Sequence, residues 1–121
     1  MVGVGIDSVE VERFREMLER QPKMLERLFT DGEKAYGAEF ADPAASLAAR
    51  FAAKEAAMKA MGVGLGAFGF HDVEVIKDED GPPRLLLHGE ASALSERLGV
   101  SNWRLSLTHT CSVATAMVIA E

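Results

Sequence analysis

Residues 42–62 read DPAASLAARFAAKEAAMKAMG, and this stretch decides the fold. Proline at position 43 suits a first helical turn, where its missing N–H costs nothing. Alanine, the best helix former, fills the interior. Gly62 supplies a stop. Leu47, Phe51, Met58 and Met61 fall on one face. The spacing predicts one long helix over Asp42–Met61, which the rest of the chain must cover.

Upstream, Val2, Val4 and Ile6 alternate with Gly3, Gly5 and Asp7. A period of two predicts a strand, with one branched-aliphatic face and one glycine face. Strand glycines often mark the close approach of a ligand or another backbone. Asp7 is therefore expected beside open space. A helix is predicted over Val9–Arg20, interrupted by Pro22 because the residue before a proline leaves the helical region. A shorter one follows over Pro22–Phe29, and Thr30 or Asp31 caps the next.

Downstream, Gly62–Gly66 is a loop. Val73–Lys77 and Arg84–His88 read as a hairpin around the polar turn Asp78–Pro83. A helix over Glu90–Leu98 ends at Gly99, and strands follow over Asn102–His109 and Val113–Ala120. Both alternating faces of the last strand are apolar, so it needs a layer on each side. Part of that cover could come from a second subunit. The fold class is α+β: an antiparallel sheet packed with one long helix and several short helices, in a single domain over residues 1–121.

The 121 residues are 48% hydrophobic and 26% charged, ordinary for a folded domain. A net charge of −6 does not favour nucleic acid, whose backbone needs clustered Lys and Arg. No apolar run reaches membrane-spanning length, and no signal peptide opens the chain. The single Cys111 allows no internal disulfide and fits a reducing compartment, so the chain is expected in the cytoplasm.

Several residues could carry chemistry. Asp7 and Glu55 are carboxylates that a hard cation such as Mg²⁺ could share with a substrate phosphate. The alternative is a turn residue and a solvated acid. Glu55 and Lys59 are four apart in the favourable order for a helical ion pair. Lys59 could instead face a phosphate, with Arg50 and Lys54 adding positive charge nearby. Gly62-Val63-Gly64-Leu65-Gly66-Ala67 has the letters of a dinucleotide-binding loop but follows a helix, which removes the rationale. Gly62 is then a helix stop or part of a loop lying against a cofactor. His109 is a strand-end residue or a phosphate contact, and no zinc spacing joins it to His71 or His88. Arg13, Arg15, Arg20, Lys23 and Arg27 form either a solvated face balanced by glutamates or a docking surface for an acidic partner.

Taken together, four segments resemble the holo-acyl-carrier-protein synthases, the small bacterial type of phosphopantetheinyl transferase. They are Gly3-Val4-Gly5-Ile6-Asp7 followed by Val11-Glu12-Arg13-Phe14; Arg50 through Ala60; Gly81-Pro82-Pro83; and Leu105-Ser106-Leu107-Thr108-His109-Thr110. The resemblance spans nearly the whole chain in the same order. It implies the phosphopantetheinyl transferase fold and transfer of 4′-phosphopantetheine from coenzyme A to a serine of an acyl carrier protein. It implies Mg²⁺ on Asp7 and Glu55, and Lys59 at the phosphates or the departing oxygen. Arg50, Pro83, His109 and Thr110 would hold the nucleotide end of coenzyme A. Arg13, Phe14, Arg20, Lys23 and Arg27 would dock the carrier protein. A homotrimer with interfacial sites is implied as well. A silent coenzyme-A-binding module and a purely structural trimer are the other readings.

Overall fold

In the computed structural model, which describes residues 1–121, the long helix α4 spans Ala44–Ala60 and lies across one face of a three-stranded antiparallel sheet. The sheet is ordered β1 (Gly3–Glu10), β5 (Val113–Ala120), β4 (Trp103–His109). A separate two-stranded hairpin pairs β2 (Val73–Lys77) with β3 (Pro83–Leu87). The sequence reading has one sheet. Instead β3 lies beside β4 without joining its hydrogen-bond ladder. Three helices lead into α4: α1 (Val11–Arg20), α2 (Met24–Leu28) and α3 (Asp31–Gly37). α5 (Gly89–Arg97) precedes β4.

The glycine face of β1 is where α4 seats. A Cβ built on Gly3 would lie 1.9 Å from the carbonyl oxygen of Ala60, and one on Gly5 would lie 1.8 Å from that of Ala56. Ala53, Ala56, Ala57 and Ala60 are buried on the helix, as are Ala114, Ala116, Val118 and Ala120 on β5. Small residues on both sides bring the helix axis close to the sheet. Of the two readings of strand glycines, close approach by a ligand or by another backbone, the structure shows the second. The aliphatic face of β1 points the other way, with Val4 56% and Ile6 58% exposed. Asp7 follows Gly5 on the helix-facing row, so it sits where the seam ends.

A second cluster covers the first half of α4. Val11 and Phe14 from α1, Leu28, Phe29 and Leu47 are all buried there. Each such side chain is worth roughly 1.5–3 kcal/mol of burial. The first helix begins at Val11 rather than Val9, because Val9 and Glu10 pair with Ala114 and Val113 in the sheet. The second begins at Met24, after a turn over Pro22 and Lys23. Thr30 caps α3 through a reciprocal box with Glu33. Gly62, at φ +72°, ends α4.

Candidate active site

Asp7 at the end of the β1–α4 seam and Glu55 on α4 line one cleft of about 730 Å³. The Lys59 ammonium donates to Asp7 Oδ1 at 3.1 Å and to the Ile6 carbonyl at 2.9 Å. The helical pair expected between Glu55 and Lys59 does not form, because Lys59 reaches across to the strand. Glu55 is half-buried. Burial, and then the charge of Asp7, push its carboxyl above the ordinary range, and Lys59 offsets only part of this. Two neighbouring carboxylates, with Lys59 paired to Asp7 and no cation paired to Glu55, suit a divalent cation. No third His, Cys, Asp or Glu completes a protein cage. That donor set matches Mg²⁺, which keeps water and substrate phosphate in its shell.

Arg50, Pro83 and His109 converge elsewhere, on a cavity of about 300 Å³ that Tyr36, Phe40 and Lys77 also line. The Arg50 guanidinium lies 4.1 Å from the centre of the Tyr36 ring, and Nη1 donates to Ser46 Oγ at 3.1 Å. Its Nε is buried with no partner. Burial pulls the guanidinium below its ordinary value. A buried cation with an unspent donor, beside an imidazole and an ammonium, makes this cavity fit for an anion.

Lys54 is not in either cleft, and its expected place near the phosphates is corrected. Its side chain is fully buried, with Nζ donating to Glu33 Oε1 at 2.7 Å, the Phe70 carbonyl at 2.9 Å and the Val73 carbonyl at 2.6 Å. All three donors are used. Glu33 also accepts from the backbone N–H of Thr30 and of Val75. The pair fastens α3 and β2 to α4. Gly62 lines neither cleft, and open space surrounds it. Thr110 Oγ1 accepts from the N–H groups of Ser112 and Val113, closing the β4–β5 turn instead of lining the Arg50 cavity.

Among the docking candidates, Arg13 and Arg20 line the Asp7–Glu55 cleft. Phe14 is 4% exposed and packs on Phe29 and Phe51, so it is core first. Lys23 is exposed in the turn before α2. Arg27 borders a neighbouring apolar groove with Met24 and Leu65. Sequence reasoning missed Tyr36, Phe40 and Lys77. The i, i+4 aromatic spacing of the first two was a usable signal. Lys77 stands opposite Pro83 in the hairpin register, which only the turn geometry fixes. His71 and His88 bond to the Glu26 carbonyl and to Glu74, and Cys111 is exposed.

Residues 3–114 match the family model for the 4′-phosphopantetheinyl transferase superfamily. A holo-[acyl-carrier-protein] synthase from Moorella thermoacetica is 44% identical over 121 residues, covering 100% of this chain and 94% of the relative. The crystal structure of holo-[acyl-carrier-protein] synthase from Neisseria meningitidis superposes with a TM-score of 0.90 at 31% identity, over 100% of this chain and 98% of that one. The holo-(acyl-carrier-protein) synthase from Bacillus anthracis, in complex with CoA (3′,5′-ADP), has a TM-score of 0.82 at 34% identity, over 98% and 95%.

Proposed function

The chain belongs to the 4′-phosphopantetheinyl transferase superfamily, among the holo-[acyl-carrier-protein] synthases, and from that premise we propose that it moves 4′-phosphopantetheine from coenzyme A to a serine of an apo acyl carrier protein. Adenosine 3′,5′-bisphosphate leaves. The observation that carries this is the meeting of Asp7 and Glu55 in one cleft, with the Lys59 ammonium bonded to Asp7. The anion-suited cavity around Arg50 and His109 supports it, as does the coenzyme A complex of the Bacillus anthracis enzyme.

Transfer of a phosphoryl group is mostly positioning and charge neutralisation. Asp7 and Glu55 would hold Mg²⁺, which when bound neutralises charge on the pyrophosphate oxygens. The serine hydroxyl attacks the β-phosphorus of coenzyme A, and the bond from that phosphorus to the bridging oxygen breaks. Lys59, bonded to Asp7, offsets charge on the departing oxygen. The serine proton passes to Glu55 or to water. Arg50, Lys77 and His109 hold the phosphates at the nucleotide end. Arg13 and Arg20 face the carrier protein.

The two clefts share no lining residue. One ligand can join them across a subunit boundary. The outer sheet face supports such an assembly. Val4, Ile6, Met117 and Ile119 lie together there by register, and three of the four are exposed. We therefore read the enzyme as a homotrimer with interfacial sites. No helix is long and apolar enough to cross a membrane. An exposed unpaired thiol suits the cytoplasm. Carrier proteins of fatty-acid synthesis are the expected substrates, and those of polyketide synthesis are a further class.

Intact-mass measurement of an apo acyl carrier protein, incubated with this enzyme, coenzyme A and Mg²⁺, tests the reading. A gain of one phosphopantetheine that EDTA abolishes is expected. No gain with any of several carrier proteins, from folded enzyme, would overturn it.

A further inference from the structure

Any partner that delivers a serine to Asp7 and Glu55 must cover the wall of their cleft, and α1 builds much of that wall. Arg13, Glu16 and Arg20 are spaced three and four apart, so they form one charged stripe along the helix. All three line the cleft. The ion pairs on α1 are Arg13 with Glu10, and Arg15 with both Glu12 and Asp42. Glu16 and Arg20 are left unpaired. The stripe therefore reads positive, negative, positive, with an exposed acid about one turn from each arginine. Two arginines alone would attract any acidic surface. The acid between them makes the attraction conditional on what the partner places opposite it.

We propose that Glu16 is a specificity-determining residue: it selects against carrier proteins that set an acidic side chain over the centre of the stripe, and admits those that set a neutral or basic one there. This rests on the carrier-protein reading above. Discrimination by an unfavourable contact is a general route to specificity. Screening at physiological salt limits the effect to charges within about 8 Å, so only the directly opposed residue matters.

The test compares Glu16→Lys with Glu19→Lys. Both make the same change in net charge on α1. Glu19 is exposed and lies outside this cleft. Rates are measured with an apo acyl carrier protein and with versions of it whose surface acids near the modified serine are changed one at a time to Gln. With Glu16→Lys, kcat/KM is expected to rise about tenfold through KM for a carrier that sets an acid over the centre of the stripe, and to stay unchanged for one that sets a neutral or basic residue there. The gain should disappear for the one carrier version lacking the opposing acid, and shrink at about 0.5 M salt. An equal shift in both variants, a gain blind to the carrier's charge, a fall, or no change with a carrier that sets an acid there would each overturn the inference. Wild-type enzyme that modifies no carrier would instead sink the transferase reading on which it stands.

Discussion

Lys54 and Glu55 are neighbours on one helix, and the fold treats them oppositely. Lys54 points into the protein and spends all three donors on Glu33 and two carbonyls. Glu55, about a quarter-turn around the helix, is half-buried beside a second acid, with no hydrogen bond to favour its charge. Desolvation is unfavourable for both groups, but Lys54 is compensated by three hydrogen bonds, and Glu55 only in part by the charge of Lys59. Burial pulls the Lys54 ammonium down, and Glu33 works against that. A satisfied buried charge builds structure. A half-buried charge facing its own kind is a candidate for binding something that arrives from outside.

Breaking the satisfied pair should have the largest effect on the fold. Glu33→Ala leaves a buried ammonium unpaired and strands the N–H groups of Thr30 and Val75. A loss of about 3–5 kcal/mol is expected, read by urea or thermal unfolding. Glu55→Gln should do the reverse. Transfer should fall about 100-fold or more, roughly 2.7 kcal/mol of transition-state stabilisation. The fold should not weaken. Because the folded-state carboxyl is raised, ionising Glu55 opposes folding as pH rises through and above the carboxylate range. The variant should thus be at least as stable as the parent at pH 7, and the advantage should vanish on acidification through that range. A metal-free melt against pH checks this. A variant less stable at pH 7 would show that Glu55 is structural after all.

Most of this contrast was legible in the sequence in part only. The long helix, its proline start and its glycine stop are local signals, and so are the hairpin and the last two strands. Asp7, Glu55 and Lys59 were identified as candidates because the helix and the first strand could be placed. Lys54 was misread because a lysine beside Arg50 looks like more of the same charge. Its partner, Glu33, lies 21 residues away on another helix, and no local pattern reports it. The strand glycines were read only as far as close approach. Strand glycine signals close approach, and the sequence does not say whether ligand or helix approaches. Gly5→Ala measures the answer: its Cβ would meet the Ala56 carbonyl, and a loss of about 1–3 kcal/mol is expected in a thermal melt. A substitution without cost would mean that the seam is loose and that Asp7 is not fixed by it.

Ile6, the next residue along β1, turns the comparison onto the two faces of that strand. Gly5 is buried under α4, while Ile6 stands on the outer face beside Met117, its partner across the strands. A lone exposed isoleucine means little. A row of Val4, Ile6, Met117 and Ile119 on one outer sheet face is a different matter, since such patches mark contact surfaces. Ile6→Lys should cost the single chain less than about 0.5 kcal/mol, as surface changes do. On the proposed trimer, it should nevertheless lower the sedimenting mass from three chains toward one of 13.1 kDa. Transfer should fall with it, because the Asp7 cleft and the Arg50 cavity would no longer face each other across a boundary. A variant that stays trimeric and active would place the interface elsewhere. A variant that is monomeric and fully active would show that one chain joins the two clefts by itself.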